Sequence, residues 1–396
     1  MEDTFPKLLV RNRQRWGTKG VAVRKKEYGI WREYTWEDCY QKVKDIFLGL
    51  SSLGLQSGDR VSILGDNNPE WFWSELAIQA AGGIVLGLNP GSSSKEAATL
   101  LSHSQSRFVM AQDQEQVDKL LEIKGELPSL EKIVYWQEKG LRQYDNPSLI
   151  SLAELIRLGQ ERQQSHPEYF EQRLSQGKGN DVAMIIFTQG NNAAPKAIPA
   201  TYQFLLSSVD AALALSPVYV SDEYVSIITP GWFFEQTLGF GTSLAIGQKL
   251  NFAERADTAH MDLREISPHT IVYPSQAWDQ IANAIQTNVS SGTWLKKTLY
   301  KRCLSLGYRM ADLSSPNRQA SPLKKLGYHI ANFLVFRPLR DKHGLNRARV
   351  IYTAGGLLSP ETTRFFRAIG VNMVQVFGST QSGIVSTPPG KEVNIE

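Results

Sequence analysis

The stretch DVAMIIFTQGNNAAPKAIPATYQF, Asp181 to Phe204, decides how the rest of the chain is read. It opens with an apolar run, Val182–Phe187, short enough for a buried strand. Thr188–Ala194 then reads as a loop of small and amide residues, and Pro195-Lys196 resumes extended backbone. A helix is expected to begin near Tyr202. A strand that feeds such a loop, closed by a lysine, is a way to wrap backbone N–H donors around phosphate.

Working outward, the same alternation recurs on both sides. Upstream, Thr35 is placed to cap a helix running to Leu53, with Asp38 three residues on to complete a capping box, and Gly54 ends it. A hairpin of Val21–Val23 and Trp31–Tyr34 precedes it. The run from Asp59 to Leu88 reads strand (Val61–Leu64), helix opened by Pro69, a Gly82-Gly83 stop, and strand (Ile84–Leu88). Helices over 95–104 and 114–123 and strands over 107–111 and 132–136 follow; residues 138–180 are polar, turn-rich and partly helical, a bridge to a second sheet. Downstream, strands are expected at 224–228, 248–252, 270–273, 349–353 and 372–377, with a helical insertion over 293–335 broken at Ser314-Ser315-Pro316-Asn317. Strands and helices alternating at these lengths predict an α/β fold of layered parallel sheets covered by helices on both faces. A division into subdomains 1–180 and 181–396 is expected, since 396 residues exceed one ordinary core.

Composition narrows the classes. An apolar fraction of 42% and an aromatic fraction of 10% are those of a globular protein. Cys39 and Cys303 make no disulfide framework or CxxC motif and fit a reducing cytoplasm; the six histidines show no metal spacing. The net charge of +4 is unevenly spread: between Trp294 and Arg349 thirteen Lys and Arg face only Asp312 and Asp341, a local balance of +11 that leaves −7 elsewhere. Two readings of that region stand: solvated helix faces, or peripheral contact with an anionic membrane or acidic partner. No nucleic-acid-binding motif accompanies the charge, so nucleic acid is not an expected partner.

Two further segments carry chemistry. In Tyr352–Pro360 a strand ends in Gly355-Gly356 before Ser359-Pro360-Glu361 opens a helix, leaving bare backbone for a flat ring and free N–H groups beside it; taken alone, such a pair is also an ordinary turn. The other is Gln375-Val376-Phe377-Gly378-Ser379-Thr380-Gln381-Ser382-Gly383.

Together these segments resemble the adenylate-forming (AMP-binding) superfamily. Phe187, Thr188, Gly190, Pro195, Lys196 and Thr201 sit where its phosphate loop, a Tyr or Phe followed by TSGTTG-x-PKG, wants them. Gly355 and Gly356 match its GGxxLSP element beside the adenine and acyl tunnel. Phe377, Gly378 and Thr380 match its Tyr-Gly-x-Thr-Glu motif, whose aromatic residue stacks by the adenine and whose Thr bonds the α-phosphate. Tyr28–Trp36, Gly65–Trp71, Trp232–Gln236, Leu263–Pro268 and Leu339–Leu345 are similar to the long-chain fatty acyl-CoA synthetase branch, in family order.

The resemblance implies ATP-dependent activation of a long-chain fatty acid to acyl-AMP, then transfer to a thiol of coenzyme A or an acyl carrier protein. ATP and Mg²⁺ are the implied cofactors: Lys196, Thr188 and Thr380 would be catalytic, and Gly190, Asn191, Asn192, Thr201, Gly355, Gly356, Phe377, Gly378 and Gln381 would hold the nucleotide, with no residue assigned as a metal ligand. The departures fall on the phosphate contacts. Gln189, Asn191, Asn192, Ala193 and Ala197 replace the family's Ser, Thr and Gly, and Gln381 stands where a Mg²⁺-holding Glu belongs. Asparagines tolerate the left-handed backbone such a loop needs, but a neutral amide brings no charge to a hard cation. Each lost donor of this kind costs roughly 3–4 kcal/mol of transition-state stabilisation. The superfamily's Thr-Gly-Asp ribose segment, hinge and lysine-bearing C-terminal lid find no counterpart in these 396 residues, so a fragment or a shortened product is expected. Two functions follow as alternatives: an acyl-activating ligase, weak or inactive as this chain, or a non-catalytic relative that binds fatty acid or a partner.

Overall fold

The computed structural model describes residues 2–190, 193–313 and 321–385, and for 189, 190, 193 and 194 the backbone alone. The strands, in chain order, are β1 (Val21–Glu27), β2 (Ile30–Thr35), β3 (Arg60–Leu64), β4 (Ile84–Leu88), β5 (Phe108–Ala111), β6 (Lys132–Tyr135), β7 (Leu149–Ser151), β8 (Val182–Gly190), β9 (Ala193–Thr201), β10 (Glu223–Ser226), β11 (Lys249–Phe252), β12 (Thr270–Pro274), β13 (Val350–Ala354), β14 (Val374–Gln375), β15 (Phe377–Ser379) and β16 (Gly383–Val385). They build two seven-stranded sheets, ordered β7-β6-β5-β3-β4-β8-β9 and β14-β13-β12-β10-β11-β1-β2, with β15–β16 a separate hairpin. Both large sheets are parallel except where a hairpin closes one edge, β8–β9 in the first and β1–β2 in the second.

The sheets exchange strands across the 180/181 line. β1 and β2 pair into the later sheet, through Val23 opposite Leu250, and β8 and β9 complete the earlier one. One core cluster spans both, from Val61 and Met184 to Tyr224 and Phe252, with Trp71 and Phe72 edge-on to Phe240. Burying an aromatic or branched aliphatic side chain contributes about 1.5–3 kcal/mol.

Local signals explain several elements. The helix Trp36–Ser52 starts as its sequence predicts: Asp38 N–H donates to Thr35 Oγ1 at 3.1 Å and the Asp38 carboxylate accepts from Thr35 N–H at 2.8 Å. Thr35→Ala should cost about 1 kcal/mol, read as a lower urea midpoint. Pro69 occupies the first turn of the helix Pro69–Ala80, and Ser93 and Ser359 cap Ser94–Ser104 and Pro360–Ala368.

The helix Leu152–Ser165 crosses the 36–52 helix backbone to backbone. A Cβ built on Gly159 would lie 2.1 Å from Asp45 O and 2.9 Å from Gly49 N, and one on Gly49 would lie 2.2 Å from Leu155 O. Only glycine allows that approach.

Two expectations need correction, and one element was not anticipated. Thr188–Ala194 is not a loop of seven residues: β8 runs on to Gly190 and β9 begins at Ala193, with Thr188 opposite Lys196 and Gly190 opposite Ala193. Cross-strand pairing carries the polar residues into a ladder that composition alone reads as a loop. The strand expected over 372–377 is two short strands, β14 in the large sheet and β15 in its own hairpin. The stretch after Trp232 forms a buried π-helix, Glu235–Gly241, that sequence periodicity does not signal. The break at 314–317 lies outside the described residues.

Candidate functional site

The order of the second sheet reverses between β10 and β12. In open α/β sheets the crevice outside the carboxyl ends at such a switch point is where ligands bind. Three strands end there. β10 leads into the turn Thr229–Trp232, closed by Trp232 N–H to Thr229 O at 3.0 Å. β12 ends at Pro274, after which Ser275 opens the helix Ser275–Ser290. β13 ends at Ala354 and delivers Gly355 and Gly356.

Gly355 has φ +75°, a left-handed conformation that favours glycine. A Cβ there would stand 2.9 Å from the Trp232 ring, and one on Gly356 would stand 2.8 Å from Ser275 Oγ. Gln375 Nε2 donates to Gly356 O at 3.1 Å and ties β14 to the glycine pair. Both glycines are exposed, so their backbone faces the crevice rather than the core.

The β15–β16 hairpin stands on a neighbouring element. Its turn, Thr380–Ser382, is braced by Gln381 and Ser382 N–H groups donating to Ser379 Oγ at 3.2 and 3.0 Å. Ile384 N–H donates to Ser208 Oγ at 3.4 Å, seating the hairpin on the helix Tyr202–Leu215. Phe204 of that helix stacks with Phe233, and Phe233 and Trp232 each contact Phe234. Gly355, Gly356, Trp232, Ser275, Gln375, the 202–215 helix and the hairpin bearing Phe377, Gly378, Thr380 and Gln381 therefore form one chain of contacts.

The phosphate-loop residues stand differently. Thr188 is half-buried on β8 and Lys196 exposed on β9, directly opposite it. Thr201 Oγ1 accepts from Phe204 N–H at 3.2 Å as the helix cap, so that hydroxyl already has a structural partner. Gly190 pairs with Ala193 through the backbone; Asn191 and Asn192 lie outside the described residues. Among the described residues the side-chain hydrogen bond to the glycine pair comes from Gln375, not from Thr188 or Lys196.

Gln381 is exposed in a turn and carries no charge. Among the described residues no group of three His, Cys, Asp or Glu could hold a metal ion. This donor set does not fit Mg²⁺, which binds through carboxylates and phosphate.

Sequence reading missed a polar network under the crevice. Glu235 is fully buried; Tyr224 Oη and Ser226 Oγ donate to its two oxygens, the latter at 2.5 Å. Burial outweighs those donors and pushes its carboxyl up to about 8. Asn67 Nδ2 donates to Ser226 Oγ and Ile228 O, both at 2.6 Å, and holds the carboxyl end of β10. Next along the chain, Gln236 Nε2 donates to Glu75 Oε2 at 3.0 Å and to Pro230 O at 2.8 Å. Burial pushes the Glu75 carboxyl up to about 8 as well, against hydrogen bonds from Gln236 and Gln79 and with the charge of Glu235 adding to the rise. A carboxylate after the aromatic run 232–234 is the one sequence signal that could have drawn attention to Glu235.

A cavity of about 450 Å³ opens at the amino ends of β4 and β8 and is lined by Thr4, Gly82, Arg173, Lys178 and Tyr202, of which only Tyr202, at the start of the 202–215 helix, belongs to an element of the contact chain above. Among the described residues no helix is long and apolar enough to cross a membrane.

Comparison with known proteins agrees with this fold. The chain is 22% identical over 369 residues to a long-chain-fatty-acid–CoA ligase, ACSBG2, of Xenopus laevis, covering 91% of this chain and 49% of that protein. It is 25% identical over 360 residues to the ligase ACSBG1 of Mus musculus, covering 89% and 48%. The chain thus spans about half the length of the curated relatives it matches. Among solved structures, the anthranilate CoA ligase AuaEII in complex with anthranoyl-AMP superposes with a TM-score of 0.70 at 18% identity, over 98% of this chain and 62% of that one. A long-chain-fatty-acid-CoA ligase (FadD1) from Archaeoglobus fulgidus gives 0.69 at 13% identity, over 98% and 66%. The AMP-binding enzyme profile matches residues 10–395, and the chain therefore belongs to the AMP-binding enzyme family.

Proposed function

We propose that this chain is a platform that holds a long-chain carboxylic acid beside an adenine nucleotide, the binding part of an acid–thiol ligase, with adenylation by these 396 residues alone weak or nil. The observation that carries the reading is the exposed Gly355–Gly356 backbone at the switch point, where a Cβ on either residue would strike Trp232 or Ser275. Bare backbone beside an indole suits a flat purine, and the partly buried rings of Trp232 and Phe204, backed by Phe233 and Phe234, offer an apolar wall for an acyl chain.

The chemistry of such a ligase is a pair of displacements. A carboxylate oxygen bonds to the α-phosphorus of ATP as the bond from that phosphorus to the bridging oxygen breaks and pyrophosphate leaves. A thiolate sulfur, from coenzyme A or an acyl carrier protein, then bonds to the acyl carbon and AMP departs. Catalysis of the first step is positioning plus charge neutralisation. Lys196, exposed opposite Thr188, can offer one positive charge to the β and γ phosphates, and Thr380 a hydroxyl to the α-phosphate. The neutral Gln381 argues against a bound Mg²⁺ at its position, and no step is assigned to one. Both cysteines are free and buried, which supports a reducing, cytoplasmic setting.

Calorimetric titration of the chain with ATP tests this. Saturable binding that Mg²⁺ strengthens less than about tenfold (~1.4 kcal/mol) is expected, with no acyl-AMP formed from palmitate. A large Mg²⁺ dependence or accumulation of acyl-AMP would sink the weak-catalyst reading; no ATP binding by folded protein would sink the nucleotide site itself.

A further inference from the structure

The helix Trp294–Leu313 packs beside the helix Pro322–Ala331, with Leu306 against Gly327, and the second helix continues through a π-helical turn, Asn332–Phe336, which also meets the first. The buried side of this pair is plain: Tyr300, Cys303, Ala331 and Phe336 join a core cluster with Ile369 and Phe365. The outer side is not what a solvated face should be. Leu323, Leu326, Ile330, Phe333 and Leu334 recur at three-, four- and seven-residue spacings and form one stripe, yet each is between 54 and 81% exposed. At the start of the first helix Trp294 and Leu295 are exposed too, at 78 and 68%. Contiguous apolar exposure on this scale marks an interaction surface.

Charge decides what the surface meets. Lys296, Lys297, Lys301, Arg302, Lys324 and Lys325 interleave with or flank the apolar residues. Among the described residues none of the six is ion-paired to a carboxylate. The two acids of the region are engaged elsewhere, Asp312 with Arg364 and Asp341 with Arg264. Protein–protein interfaces are depleted in lysine. At a bilayer, lysines lay their stems along the apolar surface and place their ammonium groups among anionic headgroups.

We propose that this helical pair is an interfacial docking element, which seats Leu323, Leu326, Ile330, Phe333 and Leu334 in the acyl–headgroup boundary of an anionic lipid surface while the flanking lysines meet its headgroups. The proposal stands apart from the ligase reading, since vesicle binding requires neither ATP nor fatty acid.

The test is sedimentation of the whole chain with phosphatidylcholine vesicles, with and without phosphatidylglycerol. Binding only when phosphatidylglycerol is present, weakening as salt is raised, is expected. Lys324→Gln with Lys325→Gln should weaken binding about 30-fold at low salt. Leu326→Ser with Phe333→Ser should weaken it at least about tenfold, with both double variants keeping the wild-type melting temperature because the altered side chains are exposed. Equal partitioning to neutral and anionic vesicles would overturn the proposal, as would unchanged binding by either variant. So would a dimer in analytical ultracentrifugation that Leu326→Ser with Phe333→Ser splits, which would assign the stripe to a second copy of the chain.

Discussion

Gly159→Val is expected to lower the melting temperature by roughly 4 °C or more, the equivalent of about 3 kcal/mol or more. The cause is the crossing of the 36–52 and 152–165 helices. A Cβ at 159 would lie 2.1 Å from Asp45 O and 2.9 Å from Gly49 N, and both obstacles are backbone, which no rotamer change can clear. The helices must part, and with them the part of the main core cluster that they share, to which Val43, Ile46, Phe47, Leu50 and Leu155 belong. Gly159→Ala already places the offending atom, so it should show most of the effect. Gly125→Ala is the control: nothing lies within 4 Å of a Cβ there, and its melting temperature should not move. Differential scanning calorimetry of the three variants decides it; an unperturbed Gly159→Ala would mean the helices have slack between them.

The second large effect is on pH. Glu75 and Glu235 are buried carboxyls pushed from an ordinary 4.5 up to about 8. Below pH 4.5 both are protonated in the folded and unfolded chain and contribute no pH dependence. Between 4.5 and about 8 the unfolded chain has lost these protons while the folded chain keeps them. The unfolded state then binds fewer protons, and stability falls as pH rises, by about 1.4 kcal/mol per pH unit for each acid at most. Above about 8 the slope from these two groups vanishes. Urea midpoints measured from pH 5.5 to 8 should therefore decline. Glu235→Gln, which keeps the shape and removes the proton, should flatten the decline by up to one proton's worth, and Glu75→Gln likewise. Midpoints that rise across this window, or that fall as steeply in both variants, would show that the two acids are ionised in the folded protein.

These groups also show where sequence reading stops. Caps, proline and glycine stops and alternating apolar runs located many of the strands and helices, because each is a local interaction: Thr35 with Asp38, Pro69 at a helix start. The glycine pair 355–356 and the 377–383 segment stood out in the sequence because they resemble two motifs of the family. The contacts that assemble them were not, since Trp232, Ser275, Gln375 and Ser208 come from four separate segments. Nor was the buried state of Glu75 and Glu235, because a carboxylate in sequence reads as surface until its donors, Gln236, Tyr224 and Ser226, are seen to surround it. The Thr188–Ala194 stretch was misread for a related reason: its partner strand lies across the hairpin, and pairing is what makes it extended.

The strand exchange between the sheets has a consequence in time. β1 lies between β2 and β11, with Val23 opposite Leu250, so its parallel neighbour is made more than two hundred residues later. At about 5–20 residues per second of synthesis, residues 21–35 wait roughly 10–45 s for that neighbour to be made. The other sheet needs nothing beyond Thr201 and can close first. During the wait β1–β2 is an exposed hairpin with an open edge, the form of chain most prone to pair with a stranger. Of all the strands, those of the first hairpin thus wait longest for a parallel neighbour, and the protein's yield in a cell is expected to depend on what shields those fifteen residues in the interval.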